Sequence, residues 1–317
     1  MTDKFKWGIL GCANISRAIF DAMKLTKNGV VHAIASRDIK KAQEWQRLYG
    51  IEKACGSYIE LLDSGGIDAI YIPLPNSMHA EWCLKAIERR IPVLCEKPFA
   101  LNAEQALTVT EASAESGIPV AEAFMYRFHP LYKKVLDAVS QGRIGKPSTI
   151  FSRFTFMLDD PESICANPGL GGGALMDVGC YCVNLSRLIT GCEPLRAKAF
   201  ATGEKVDETM TGMLEFPDGV LAHFETSISN FERHYAEIAG TEGAIIIESP
   251  WFPGENEARF IIRTNSGDEI ITTPGANCYT LELEDFMDAV INKRPPHWDV
   301  NDAIRNMAVI DALYSSL

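Results

Sequence analysis

A few short segments of this chain carry side chains whose types and spacing suggest chemistry. The first, Gly8-Ile-Leu-Gly11-Cys-Ala13-Asn14-Ile15-Ser16, closes a strand-like run and opens a helical one, the context of a dinucleotide fingerprint. Gly11 would make the tight turn, and Ala13 stands where a second glycine lets backbone approach a pyrophosphate. Ser16 replaces the third glycine. The pyrophosphate would rest on free N–H groups and the helix dipole. With two of the three glycines replaced, the same residues also describe an ordinary βα turn. The second segment, Ala35-Ser36-Arg37-Asp38, is followed by Lys40 and Lys41. An NAD site usually ends this strand in an acid that binds the ribose hydroxyls. A hydroxyl and a guanidinium, with Lys41 one helical turn on, match a 2′-phosphate instead. That favours NADP over NAD; a solvated basic helix start, or Asp38 on the ribose, are the alternatives.

Two further segments follow short apolar runs. Pro73-Leu74-Pro75-Asn76-Ser-Met-His79 comes after Ala69–Ile72, and Glu96-Lys97-Pro98 after Pro92–Cys95. Both fall at the carboxyl edge of a parallel sheet, where ligands bind in such folds. Asn76 also fits a helix cap. Farther on, Asp177 and Tyr181 are four apart within a helical pattern, so they share a face. A capped helix with a packed aromatic has the same pattern.

The elements that would position these groups alternate up to Phe124. Strands at Lys6–Leu10, Val30–Ser36, near Ala54, Ala69–Ile72, Pro92–Cys95 and Pro119–Phe124 are separated by helical patterns. One helix runs over Asp38–Tyr49 with Asp38 as N-cap, another starts at Ser57, and Asn102-Ala-Glu-Gln105 is a capping box opening a helix to Ser116. Strands separated by single helices run parallel, which predicts a doubly wound α/β domain over residues 1–124. Beyond Gly145 strand follows strand: Ser148–Phe156, Arg196–Thr202, Thr209–Phe216, Val220–Ile228 and four more to Thr272. Pro217-Asp218-Gly219 supplies a hairpin turn. Helices are expected near Gly172–Thr190, Leu281–Asn292 and Asn301–Tyr314. Residues 125–317 therefore read as an α+β domain with a large open, mostly antiparallel sheet, whose C-terminal helices can pack back on the first domain.

Composition sets the outer limits. The 317 residues are 47% hydrophobic and 23% charged, as in globular proteins, and the net charge is −12. An acidic surface makes nucleic acid and anionic membrane poor partners. No apolar run approaches a bilayer span. The nine cysteines are scattered without paired spacing, so no metal site is expected and a reducing cytoplasm suits them. The opening MTDKFKWGILGC shows no apolar signal-peptide stretch, which fits the same location.

Taken together, the glycine turn, Pro75-Asn76-Ser-Met-His79, Glu96-Lys97-Pro98 and Gly171-Gly-Gly-Ala-Leu-Met-Asp177-Val-Gly-Cys-Tyr181 resemble the Gfo/Idh/MocA oxidoreductases over essentially the whole chain. Glu122-Ala-Phe-Met-Tyr-Arg127-Phe-His129-Pro130 and Tyr181 are similar to the dimeric dihydrodiol dehydrogenase, D-xylose dehydrogenase and glucose–fructose oxidoreductase branch. The resemblance implies a Rossmann domain, a second domain with an open sheet, and a homodimer or homotetramer formed through that sheet. It places Lys97 near the nicotinamide, Asp177 on a substrate hydroxyl or on Lys97, and Tyr181 one helical turn away, as the catalytic set. Cofactor contacts are expected from Gly8, Gly11, Ala13, Asn14, Ile15, Ser36, Arg37, Lys41, Pro73, Leu74, Pro75, Asn76, His79, Glu96 and Lys97. Arg127, His129, Arg153 and Phe154 are candidate substrate neighbours, with interdomain packing as the alternative for the first two. His223, His234 and His297 read as structural, and Trp251, Phe252 and Trp298 as core or interface.

The expected activity is NADP-dependent hydride transfer at a carbon of a sugar, a sugar derivative or a cyclic vicinal diol. Taking hydride from an alcohol also requires removing its hydroxyl proton. A free Tyr or Lys titrates near ~10, too high for a base at neutral pH. An ammonium beside Tyr, or burial of Lys, lowers that value. The rival readings are an NAD-dependent sugar-alcohol or inositol-type dehydrogenase and a non-catalytic NADP(H) sensor. A third is an enzyme that recycles a permanently bound cofactor between two sugars; the short lead before the first strand favours an exchangeable one.

Overall fold

A computed structural model describes residues 4–317, which divide into two compact units. The first comprises residues 4–125 and 279–304, the second 126–278 and 305–317. The chain passes between the units three times, the last time inside its final helix.

The first unit is built on six parallel strands, β1 (Phe5–Leu10), β2 (Gly29–Ala35), β3 (Lys53–Cys55), β4 (Ala69–Ile72), β5 (Val93–Glu96) and β6 (Val120–Ala123), in the order β3-β2-β1-β4-β5-β6. The chain order reverses between β1 and β4, which creates the switch point where such sheets bind ligands. The connecting helices are α1 (Ser16–Leu25), α2 (Ile39–Tyr49), α3 (Tyr58–Leu62), α4 (His79–Glu88) and α5 (Ala103–Ser116). Their starts are fixed locally. Asp38 accepts the Lys40 N–H at 2.9 Å and Ser57 the Glu60 N–H at 3.1 Å. Asn102 accepts from Gln105, whose amide oxygen reaches back to the Leu101 N–H, one residue before the cap. Trp7, Ile9, Tyr71 and Leu94 form the core with Leu283, Phe286 and Met287 of α8 (Cys278–Asn292). Trp7 and Phe286 have ring centroids 5.6 Å apart.

The second unit carries eight strands: β7 (Pro147–Met157), β8 (Arg196–Thr202), β9 (Thr209–Glu215), β10 (Leu221–Ser227), β11 (Ser229–Gly240), β12 (Gly243–Ile247), β13 (Glu257–Thr264) and β14 (Gly267–Pro274). Their order is β14-β13-β12-β11-β7-β10-β9-β8, and only β7–β10 is parallel. Asp218 and Gly219, with φ of 60° and 78°, make the turn between β9 and β10. Positive φ at both central residues is the type I′ geometry of tight hairpins.

The sequence reading did not identify helix α6 (Pro130–Ser140), which has proline at its start and buries Leu131, Tyr132, Val135 and Ala138 on one face. The expected single helix over Gly172–Thr190 is also different. Leu175–Gly179 forms a π-helical turn before α7 (Cys180–Thr190). Thr226 Oγ1 donates to the Ala174 carbonyl at 3.0 Å, taking an acceptor from the helical ladder. The last helix, α9, spans Asn301–Tyr314. Among the described residues no helix is long and apolar enough to cross a membrane.

Candidate functional site

At the switch point, β1 runs into Gly11 with φ of +124°, a conformation that side chains rarely adopt. A Cβ there would lie 3.2 Å from Leu74 Cδ2, so the turns after β1 and β4 meet. The N–H groups of Ser16, Arg17 and Ala18 bond back to the carbonyls of Ala13, Asn14 and Ile15. The N–H groups of those last three residues have no hydrogen-bond partner among the described residues. Ser16 is wholly buried, and its hydroxyl likewise has none. Unsatisfied donors at a helix start fit the oxygens of a pyrophosphate. Gly8 is placed differently from the expectation. It lies within β1, where a Cβ would press to 2.8 Å from Leu61 Cδ2, so it serves sheet–helix packing rather than cofactor contact.

The end of β2 comes to the same place. The Ser36 hydroxyl and Lys41 ammonium lie beside the Cys12 thiol, which burial nonetheless pushes up to about 11. The Arg37 guanidinium lies beside the Tyr58 hydroxyl and opposes the upward push of burial on that phenol. Tyr58 was not among the sequence candidates. Its signal was its position just past the neighbouring strand β3, at the same sheet edge.

The loop after β5 is held from several sides. Tyr71 donates to Glu96 Oε1, and Glu96 Oε2 accepts the Lys97 N–H at 3.3 Å. Glu122 on β6 accepts the Phe99 N–H at 2.9 Å. His79 reaches the Pro98 carbonyl with Nδ1 at 2.8 Å and the Leu74 carbonyl with Nε2 at 2.7 Å. Its ring has no exposed surface, so it ties the Pro73–Pro75 loop to the Lys97 loop and offers no face to a cofactor. Two carbonyl partners favour an imidazolium, yet burial wins and pushes the ring down to about 4. The neutral ring can donate to only one of them at a time. Lys97 itself is half-buried. Asn76 opens a short 3-10 turn, and α4 starts without a side-chain cap. Pro75 precedes that turn, half-buried like Asn76.

In the second unit, Asp177 sits half-buried in the π turn and Tyr181 is buried in the first turn of α7. The Tyr181 ring joins an aromatic cluster with Tyr126, Phe154 and Trp251, and Phe154 meets it edge-on at 5.4 Å. His234 and the partly exposed Phe252 extend this cluster against Phe154.

Two substrate candidates are held by protein partners. Arg153 precedes Phe154 on β7, and alternate strand residues point to opposite faces. It lies on the face away from Tyr181, paired with Glu225 at 2.8 Å and over the Phe151 ring. His129 caps α6: Nδ1 accepts the Leu131 N–H at 3.0 Å, Nε2 faces the Gly254 carbonyl at 3.2 Å, and only 1% of the residue is exposed. Arg127 is buried in the 3-10 turn Met125–Phe128. Among the described residues, no group of three or more His, Cys, Asp or Glu is arranged to hold a metal.

Comparison with known proteins agrees with this fold. Residues 5–124 match the oxidoreductase family model with an NAD-binding Rossmann fold, and residues 132–246 match the GFO/IDH/MocA C-terminal domain. D-xylose 1-dehydrogenase (NADP(+)) 2 of Haloferax volcanii is 35% identical over 316 residues, covering 98% of this chain and 96% of that one. Trans-1,2-dihydrobenzene-1,2-diol dehydrogenase of Xenopus laevis is 34% identical over 78% of this chain and 77% of its own. The crystal structure of KijD10, a 3-ketoreductase from Actinomadura kijaniata in complex with NADP and TDP-benzene, superposes with a TM-score of 0.93. It is 27% identical, with 99% of this chain and 98% of that one covered. With both halves of its fold matched in chain order, the protein belongs to the Gfo/Idh/MocA family of NAD(P)-binding oxidoreductases.

Proposed function

We propose that this protein is an NADP-dependent dehydrogenase or reductase acting on a carbon of a sugar, a sugar derivative or a cyclic vicinal diol. The observation that carries the reading is the basic cluster beside the glycine turn, where Ser36, Arg37 and Lys41 gather around Cys12 and Tyr58. The relatives named for NADP, xylose and dihydrodiols support it.

In this reading the N–H groups of Ala13, Asn14 and Ile15, with the Ser16 hydroxyl, bind the pyrophosphate. Arg37, Ser36 and Lys41 bind the 2′-phosphate, and Tyr58 orients Arg37. Bound nicotinamide supplies the hydride acceptor or donor. Tyr71, Glu96, Glu122 and His79 fix the loop that presents Lys97. Lys97 and Tyr181 Oη are the groups that hold or move the substrate's hydroxyl proton, and Asp177 accepts a hydrogen bond from a substrate hydroxyl. Phe154 keeps water from the inner side of Tyr181.

Two further assignments belong to this reading. Phe200, Met213 and Leu221 project from the open face of the second sheet, Phe200 with 84% of its surface exposed. Such a face suits a homodimer or homotetramer, which sedimentation would resolve from a monomer. The nine cysteines, none of them in a disulfide among the described residues, suit the cytoplasm.

The deciding experiment is a screen of aldoses, cyclitols and vicinal diols with NADP⁺ and with NAD⁺, following absorbance of the reduced nicotinamide. Turnover with NADP⁺ is expected. Tight NADP⁺ binding with no turnover of any substrate class would make the protein a sensor. Turnover of cyclitols with NAD⁺ alone would make it an inositol-type dehydrogenase.

A further inference from the structure

The helix that carries Asp177 and Tyr181 begins without a cap of its own: Ala174, which precedes it, makes no side-chain cap bond. Its first donors are satisfied from outside. The Ala174 N–H bonds to the Asp207 carbonyl at 2.6 Å and the Leu175 N–H to Asp207 Oδ2 at 2.7 Å. Asp207 lies between β8 and β9. Its other oxygen, Oδ1, accepts the Tyr314 hydroxyl at 2.8 Å, so the last residue of α9 steadies the carboxylate.

Gly173 makes the contact possible. Its φ is +122°, and a Cβ there would overlap Asp207 Oδ1 and come to 3.1 Å from the Tyr314 hydroxyl. α9 touches the same helix once more. Asn306 Nδ2 donates to the Cys180 carbonyl at 3.4 Å, and Arg187 Nη1 donates to Asn306 Oδ1 at 3.3 Å.

We propose that Asp207 and Tyr314 are positioning residues for the proton-transfer helix, fixing where it starts and hence where Asp177 and Tyr181 stand. The proposal rests on the reading of Tyr181 as a proton-transfer group. A carboxylate at a helix N-terminus is favoured by the free N–H groups and the dipole. Burial works against it and raises the Asp207 carboxyl above its ordinary range; the Leu175 N–H and the Tyr314 hydroxyl oppose that rise. An aspartate kept in so unfavourable a place, with a tyrosine to hold it, sets the helix start in one position. Asp177 lies two residues past the Leu175 contact and Tyr181 six, so any slip or rotation there passes to both.

The test measures kcat, KM, NADP⁺ dissociation constant and melting temperature for Asp207→Ala, Asp207→Asn and Tyr314→Phe, each alone and combined with Tyr181→Phe. A displacement of ~1 Å can cost ~10²-fold in rate, so Asp207→Ala is expected to lower kcat by ~10-fold or more. NADP⁺ affinity should stay within about twofold, because the cofactor turn lies in the other unit. Asp207→Asn keeps an acceptor for the Leu175 N–H and should restore most of the rate. Tyr314→Phe should lose a few-fold in kcat at nearly constant KM. In the Tyr181→Phe background, Asp207→Ala should add less than about twofold, since residues acting as a unit are not additive. Equal losses in both backgrounds, or wild-type kcat in Asp207→Ala, would overturn the proposal. If Asp207→Ala does not fold, Tyr314→Phe decides, and unchanged kcat there overturns it. Normal kcat in Tyr181→Phe alone is the separate signature that the reading of Tyr181 has failed.

Discussion

Phe154 stands edge-on to Tyr181, with ring centroids 5.4 Å apart, and this contact sorts the residues of β7 into two faces. Phe154, Ser152 and Ile150 are buried on the side that α7 covers. Phe151 and Arg153 are directed to the open side, where Phe151 stacks on His223 at 4.7 Å and Arg153 pairs with Glu225.

Phe154→Ala and Arg153→Ala should therefore behave in opposite ways. Removing a buried ring typically costs ~3–5 kcal/mol, so Phe154→Ala should melt much earlier and lower kcat/KM. Arg153 lies in a partly exposed ion cluster, and its loss should leave turnover within about twofold, since such pairs contribute ~1 kcal/mol or less. Comparable losses of kcat/KM in the two variants would count against the face assignment.

Lys97→Met and Tyr181→Phe address the proton-transfer groups. Each should lower kcat by about 10²-fold or more, the scale of a positioned acid or base. Both keep most of the side-chain volume, so melting temperatures should change little. Lys97→Met should also leave NADP⁺ binding nearly intact. Near wild-type turnover in either variant, with substrate saturating, removes that residue from the chemistry.

Elements whose causes are local were legible in the sequence. Asp38, Ser57 and Asn102 cap helices through N–H groups only two or three residues ahead. The turn at Asp218-Gly219 needed only its own residue types. What was not legible shares a non-local cause. His79 and His129 read as polar groups near a ligand, but carbonyls 19 and 125 positions away, at Pro98 and Gly254, occupy their rings. Asp207 gave no signal because the donors it satisfies, at Ala174 and Leu175, belong to another element. The π turn depends on Thr226, from a strand that follows it by some fifty residues. The opposite faces of Arg153 and Phe154 were legible, since adjacent strand residues point to opposite sides of a sheet.

His79 should give the first unit a pH-dependent stability. Its buried ring titrates at about 4, against an ordinary 6.5, so the folded state binds fewer protons than the unfolded chain between those values. Stability from this residue is then complete above about pH 6.5 and declines as pH falls towards 4, by about 3 kcal/mol at most. Burial also lowers His129 and His234, which act in the same sense. Comparing wild type with His79→Asn isolates the one residue. The variant should be less stable at pH 7, and the gap should narrow as pH falls to 4. Parallel stability curves across that window would show that His79 does not titrate as its burial implies.

Cofactor choice should follow Arg37 and its neighbour. β2 is followed by Ser36 and Arg37 rather than an acid, so that strand end offers donors to a 2′-phosphate. Asp38 caps its own helix, with Oδ1 accepting the Lys40 N–H at 2.9 Å, so in the proposed reading the guanidinium is expected to be the principal reader of the ribose substituent. A hydrogen bond to a charged group contributes ~1.5–3 kcal/mol, so Arg37→Ala should weaken NADP⁺ by roughly 10–150-fold. NAD⁺ lacks the phosphate and should change by less than about threefold. Tyr58→Phe keeps the ring against Trp82, 5.0 Å away, and removes only the hydroxyl beside Arg37. The hydroxyl acts only by orienting the guanidinium, and at ~0.5–1.5 kcal/mol for such an indirect contribution this variant should lose about 2–12-fold in NADP⁺ affinity, again sparing NAD⁺. In the Arg37→Ala background the Tyr58→Phe loss should vanish, because the hydroxyl acts through the guanidinium. Titrating both cofactors into the four proteins settles the matter. Equal losses for NADP⁺ and NAD⁺ in Arg37→Ala would show that Arg37 does not read the phosphate, and an undiminished Tyr58→Phe loss without Arg37 would place the hydroxyl on the cofactor itself.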